Sequence, residues 1–165
     1  MKENYDNFIK WFKEPLNTLY KNKHAGFAIV MLSLPILERY LRQKSGVFEN
    51  QNLDPRFHRE FLKMFPSVKD IAAVKTFWRV YRHGLLHQAT LKSDNTIISA
   101  AVHGGAAEIE FDGKMFTVSP VKFSQYVVKT IEGDFKTYEG GGSPKHAPAT
   151  VSHSTGRSGW NPHIK

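Results

Sequence analysis

The chain has 165 residues, of which 41% are hydrophobic and 13% aromatic, so it is long and apolar enough to fold around one core. Lysine and arginine number 23 against 15 acidic residues, and the resulting net charge of +8 favours an anionic partner such as nucleic acid, a membrane surface or an acidic protein. The absence of cysteine excludes disulfides, thiolate zinc sites and cysteine nucleophiles, and it agrees with a cytoplasmic protein.

Two helices are predicted at the start of the chain. Residues 5–22 predict an amphipathic helix that Pro15 kinks or divides. Residues 24–43 predict a helix that Pro35 bends and Ser45-Gly46 ends, and its first half is apolar nearly all round, as at the centre of a bundle. Its most apolar run is about a dozen residues, shorter than the roughly 20 that cross a bilayer, so we expect a buried helix. The apolar positions of the first helix are Phe8, Trp11, Phe12, Leu16, Leu19 and Tyr20.

Two further helices precede a change in the spacing of apolar residues. Asp54-Pro55 predicts an N-cap followed by proline at the first helical position, and this helix runs to about residue 64. Ser67 and Asp70 resemble a capping box. From this capping box a longer helix is predicted to run to about His87 or Ala89.

The spacing then becomes that of strands. Three short strands joined by glycine turns predict a small β-meander, and Asp112-Gly113 is a strong hairpin signal. A last helix is predicted from Ser119-Pro120 to about Tyr138. The predicted strands are residues 96–102, 108–111 and 114–118, with the other turn at Gly104-Gly105.

Composition divides the chain into two parts. Residues 1–139 predict a mainly α domain, with the strands at about 96–118 inserted before the last helix. Residues 140–165 begin with a Gly-Gly-Gly-Ser-Pro linker and contain no acid, so they predict a flexible basic tail.

The helix that starts near Ser67 has a cationic face. On a wheel of about 100° per residue its apolar and its basic residues fall on separate arcs, and no acid lies in the basic arc. Such a face is either solvated, matched by acids on a neighbouring helix, or bound to an anion. Leu86 lies within it and indicates a partner surface, such as a second copy of the chain. The apolar arc is Ile71, Val74, Trp78, Tyr81 and Leu85, and the basic arc is Lys75, Arg79, Arg82, His83 and His87.

The end of this helix carries the residue types that phosphodiester chemistry needs. Arg82 can hold a phosphate in a fork of N–H donors, and His87 can move a proton near neutral pH, so the two can act without a metal. A second interpretation is a metal site, since His83 and His87 are four residues apart. No nearby carboxylate or cysteine in the sequence supplies further ligands for it.

The arrangement of Arg82, the polar His83, three residues and then His87 resembles the catalytic motif of HEPN-domain proteins. The resemblance extends over about residues 5–138 and implies an up-and-down helical bundle that pairs into a homodimer. Many proteins of this family are metal-independent endoribonucleases in toxin–antitoxin and phage-defence systems, with the active site at the dimer interface. The predicted strands and the basic tail depart from a plain HEPN bundle.

The resemblance also implies roles for individual residues. His87 would act as acid or base, and Arg82 would hold the scissile phosphate. His83 would support the phosphate or act as the second acid or base. Lys75 and Arg79 would bind flanking phosphates. Leu86 would lie in the dimer interface, RNA would be the substrate, and an antitoxin protein is a further expected partner. No cofactor, metal or membrane is expected.

Two alternatives remain open at this stage. In one, the protein is a non-catalytic HEPN-like module that binds RNA, nucleotide or a protein through its basic face. In the other, it is an unrelated helical protein in which Arg82 pairs with an acid such as Glu38. RNA cleavage separates the first alternative from the nuclease.

Overall fold

The computed structural model describes residues 2–47, 54–85, 96–98 and 107–139. Most of these residues are helical, so the predicted mainly α class is confirmed. In chain order the elements are helix α1 (Lys2–Phe8), the π-helical segment π1 (Ile9–Lys13), helices α2 (Glu14–Leu19), α3 (Gly26–Ser45), α4 (Pro55–Met64) and α5 (Ile71–Phe77), the π-helical segment π2 (Trp78–Leu85), strands β1 (Thr96–Ile98), β2 (Ile109–Phe111) and β3 (Phe116–Val118), and helix α6 (Pro120–Glu139).

A π-helical turn interrupts the first helix directly before Pro15. Pro15 has no backbone N–H and therefore cannot complete the α-type bond to the carbonyl of Trp11. In π1 the bonds reach five residues back, as from the Glu14 N–H to the Ile9 carbonyl. The predicted interruption is confirmed. Trp11, which its spacing places among the apolar positions of the predicted amphipathic helix, has a side chain that is 60% exposed. A wheel of about 100° per residue does not hold in a π-helix.

Helix α3 lies at the centre of the described fold, as predicted, and packs against α6, α4 and α2. It ends at Gly46, whose φ of 66° is in the left-handed region that glycine tolerates. Within the described ranges, no helix combines the length and the apolar character required to cross a bilayer. The buried side chains of α3 are Ile29, Val30, Ser33, Leu34, Ile36, Leu37, Glu38 and Leu41.

Aspartates cap the two middle helices. The Asp54 carboxylate accepts from the backbone N–H of Arg56 at 2.6 Å, which confirms the predicted start of α4. The predicted capping box is wrong, because Asp70 rather than Ser67 caps α5 and accepts from the Ala73 N–H at 2.7 Å. Ser67 instead donates to the Ile109 carbonyl at 2.6 Å and so ties the connection to strand β2.

The three strands do not form the predicted meander. Their order is β1-β3-β2, with β1 parallel and β2 antiparallel to β3. The predicted hairpin at Asp112-Gly113 is confirmed, since the Asp112 N–H donates to the Met115 carbonyl and Gly113 has a φ of 98°. The meander is wrong because β1 pairs with the third strand, a contact that sequential turn signals do not report. Gly104-Gly105 and the predicted tail, 140–165, lie outside the described residues.

Helix α6 starts at Pro120, as predicted, and closes the core against α3. Three hydroxyl groups link it to the helices below. The Ser124 hydroxyl lies 2.7 Å from that of Tyr20 and accepts from Ser33 at 2.7 Å, and Ser33 also reaches the Ile29 carbonyl. The buried apolar side chains of α6 are Val121, Phe123, Val127, Val128 and Ile131.

Two glycine substitutions are expected to change stability in opposite directions. Gly46→Ala places a Cβ in the left-handed region and should lower the free energy of unfolding by about 1–2 kcal/mol. Gly133→Ala, in α6, should raise it by about 0.5–1 kcal/mol, because alanine is the better helix former and no heavy atom lies within 4 Å of the new Cβ. Urea unfolding of both variants tests this, and two changes of the same sign would contradict the assigned conformations.

Candidate nucleic-acid interface

The helix that carries the cationic face is fixed by aromatic packing. Phe77 stacks on Tyr81, with 4.6 Å between ring centroids, and contacts Phe61 at 5.1 Å and Phe116 at 5.7 Å. Trp78 packs against Phe57 at 5.2 Å. The helix that continues from α5 into π2 is therefore held against α4 and β3, and Lys75 and Arg79 on its other side are exposed to solvent.

The burial pattern agrees with the predicted arcs as far as the side chains are described. Val74, Trp78 and Tyr81 are buried, whereas Lys75 and Arg79 are exposed. Burial also raises the pKa of the Tyr81 phenol, which therefore stays neutral. We call Lys75, Arg79, Arg82 and His83 the basic strip, because the sequence places them along this helix.

The motif begins within a π-helical segment. Arg82 and His83 lie within π2, although their side chains are outside the described part of the structure, as is that of Leu85. Leu86 and His87 lie outside the described residues altogether. Each residue of π2 turns by less than the about 100° that the predicted wheel assumed, so the places of Arg82 and His83 on its basic arc stay a prediction. π-helical turns occur frequently at functional sites.

No neighbouring acid neutralises the two described cations of the strip. Among the described residues, neither Lys75 nor Arg79 forms an ion pair. Glu38, considered as a partner for Arg82, accepts from Arg42 on its own helix, at 2.8 and 3.1 Å. The side chain of Arg82 lies outside the described part, so its pairing with Glu38 stays a prediction. The described half of the strip is therefore an exposed cationic surface that an anion can reach.

A buried histidine that the sequence pattern does not single out lies beneath the strip. His58, on α4, is 1% exposed, and neither ring nitrogen has a hydrogen-bond partner in the described structure. Its ring packs edge-on against Phe57, with 6.0 Å between centroids. Burial and the nearby Lys75 ammonium lower the pKa of His58, against a smaller opposite effect of Asp54. His58 is therefore held neutral within the core.

The described ranges contain no group of three or more histidine, cysteine, aspartate or glutamate side chains placed to hold a metal ion. The metal interpretation of His83 and His87 depends on side chains outside these ranges, so it stays a prediction.

Comparison with known proteins adds no family. No family model, curated protein or solved structure matches this chain. The resemblance to HEPN-domain proteins therefore rests on the motif residues and on the order of the helices.

The lowered pKa of His58 predicts a stability that falls in acid. The unfolded chain binds a proton near pH 6.5 and the folded chain binds it only at lower pH, so stability is complete above pH 6.5 and is lost below it. His58→Leu should remove this loss, worth up to about 1.4 kcal/mol per pH unit, and should stabilise the fold by about 1–3 kcal/mol because no polar nitrogen remains unpaired.

The measurement is urea unfolding of both proteins between pH 5 and pH 8. His24→Gln, which replaces an exposed histidine, is the control and should follow the wild-type curve. A His58→Leu variant that is less stable than wild type at every pH would show that the imidazole has a bonding partner.

Proposed function

We propose that the protein is a metal-independent endoribonuclease of the HEPN type that works as a homodimer. The observation that carries the proposal is that Lys75 and Arg79 are exposed and form no ion pair within the described ranges, on the helix that leads into Arg82 and His83. Two unpaired cations on adjacent turns suit the regularly spaced phosphates of a nucleic acid. The π-helical turn at Arg82 supports the assignment of the motif as the functional part of this helix.

In the proposed mechanism, the chemistry needs only protein side chains. His87 removes the proton of the ribose 2′-hydroxyl, and the 2′-oxygen forms a new bond to the adjacent phosphorus. The bond from phosphorus to the 5′-oxygen breaks, and this leaving oxygen takes up a proton from a second acid. The sequence offers two candidates for this acid, which are His83 and the motif of the partner copy. Arg82 stabilises the extra negative charge of the transition state. The products are a 2′,3′-cyclic phosphate and a 5′-hydroxyl.

The proposed dimer brings two copies of the motif together. Leu86 would lie between the two copies of the helix and remove apolar surface from water. The biological setting implied by the resemblance is a cytoplasmic toxin–antitoxin or phage-defence system, with an antitoxin protein as a second partner.

A second candidate function is RNA binding without cleavage. The exposure of Lys75 and Arg79 favours it equally, because phosphate contacts of this kind hold a nucleic acid whether or not a histidine reaches the reacting atoms. The two functions differ in what happens to the RNA, not in where it binds.

RNA cleavage in EDTA distinguishes the two functions. We expect the wild-type protein to cleave RNA and leave cyclic phosphate ends, and His87→Ala to lower the rate by about 10²- to 10⁴-fold because the proton transfer is lost. Arg82→Ala should have a comparable effect through the transition-state charge. Cleavage is followed on labelled RNA, with end groups read by their susceptibility to phosphatase and kinase.

The control for histidine loss is His24→Ala, an exposed position outside the motif, which should keep full activity. Undiminished cleavage by an Arg82→Ala/His87→Ala double variant would rule out the motif as the active site. Binding without any cleavage across a broad RNA panel would assign the second function.

The basic strip should also determine how binding depends on salt. Arg79→Gln and Lys75→Gln should each reduce the slope of log affinity against log salt concentration by about 1, because each removes one released counterion. Fluorescence anisotropy with a cleavage-resistant RNA measures the slope. Lys10→Gln, an exposed lysine of π1, is the charge-matched control, and an equal reduction there would show that binding follows net charge alone.

A further inference from the structure

A groove of about 410 Å³ lies between the start of α5 and the β2–β3 turn. We propose that this groove binds one base, a guanine, of a single-stranded RNA whose phosphates lie along the basic strip. The inference rests on the proposed RNA-binding function and adds a base-recognition site to it. The volume falls within the roughly 300–1,000 Å³ of typical small-ligand clefts. The residues that line the groove include Lys69, Asp70, Ala72, Thr76, Phe111 and Asp112.

The groove and the strip share one face of the helix. Ala72, Thr76 and Arg79 are spaced by four and three residues, and side chains at this spacing lie above one another. At 1.5 Å per residue, Ala72 and Arg79 are separated by about 10 Å along the axis. A single RNA strand can therefore place phosphates on Lys75 and Arg79 while a neighbouring base enters the groove.

An aromatic residue held by the core is among those that line the groove. Phe111 is half-buried, and its ring stacks on that of Phe116 with 4.3 Å between centroids and 21° between planes. Phe116 is itself 1% exposed, so it fixes the position of Phe111. A rigid aromatic surface beside a cationic strip is how proteins stack the bases of single-stranded RNA.

The polar groups of the groove select among bases. Within the described residues, the Lys69 ammonium has no ion pair and the Thr76 hydroxyl no hydrogen-bond partner. Asp112 is exposed, and its Oδ1 accepts from the N–H of Lys114 at 2.8 Å and of Met115 at 2.7 Å. A carboxylate accepts from base amino groups, and a lysine donates to the O6 and N7 of guanine. Guanine is the base that offers two adjacent N–H donors together with these acceptors.

The same charges argue against two other occupants. A phosphate would meet the carboxylates of both Asp70 and Asp112, so the groove suits a base better than the backbone. A lysine- or arginine-rich peptide would suit the two carboxylates, but it would be repelled by Lys69 and by the unpaired Lys75 beside the groove. RNA satisfies the strip and the groove together.

The test compares binding of two short 2′-O-methyl RNAs to the full chain by fluorescence anisotropy. One is oligouridine and the other has a single central guanine, and the methyl groups block cleavage through the 2′-oxygen. We expect the guanine to raise the affinity of the wild-type protein about tenfold, the discrimination expected of one set of base-edge hydrogen bonds. Phe111→Leu and Asp112→Asn should remove this gain.

Three comparisons keep the result specific. Trp11→Leu removes an exposed aromatic side chain outside the groove and should keep the guanine preference. Lys75→Gln should lower the affinity for both RNAs by the same factor. Asp112→Asn retains a side-chain oxygen for the turn, so it reports on the groove even if thermal unfolding shows that Phe111→Leu has damaged the fold.

The outcomes separate the two proposals. If the wild-type protein binds neither RNA, the RNA-binding function and the groove assignment are both overturned. If it binds both RNAs with equal affinity, or keeps the guanine preference in Phe111→Leu and Asp112→Asn, only the groove assignment is overturned. Tight binding of a lysine-rich peptide that depends on Asp112, without a guanine effect, would assign the groove to a peptide instead.

Discussion

Aromatic packing around Phe77 is the constraint on which the described fold depends. Its ring contacts Phe61 of α4, Phe116 of β3 and, at 6.5 Å, Phe123 of α6, so one side chain joins four elements. Each such ring pair adds roughly 0.5–1.5 kcal/mol beyond the burial of its area. Because this packing occupies one side of the α5–π2 helix, Lys75 and Arg79 are left on the side that a ligand can reach.

Proline and glycine residues at the ends of helices made the helices predictable. Pro55 and Pro120 lie in the first turns of their helices, and Gly46 lies at the end of one. Each acts through its own backbone geometry, so its effect depends little on residues that are distant in the sequence. Helical spacing failed at Trp11, which lies in π1, because it assumed a constant rotation. The hydrogen-bond change that produces a π-helix has no signal in apolar spacing.

Features set by distant contacts were less predictable. The hairpin followed from Asp112-Gly113, but the pairing of β1 with β3 joins segments separated by 20 or so residues, which turn signals do not encode. In the same way, Lys75 and Arg79 could be identified as an exposed pair from their spacing. The buried His58 could not be identified from the sequence, because its burial depends on how α4 packs against α5. The groove could not be identified either, because it forms only once β2 lies beside α5.

The hydroxyl groups of Tyr20, Ser33 and Ser124 determine how far the helices can slide along one another. They meet only when α2, α3 and α6 have one axial register, and a shift of one turn, about 5.4 Å, would leave buried hydroxyls without partners at a cost of about 1–3 kcal/mol each. Apolar side chains alone would tolerate several such registers. These three residues therefore select one packing of the helices more than they add to its stability. They hold α2 and α6 at a fixed offset along α3.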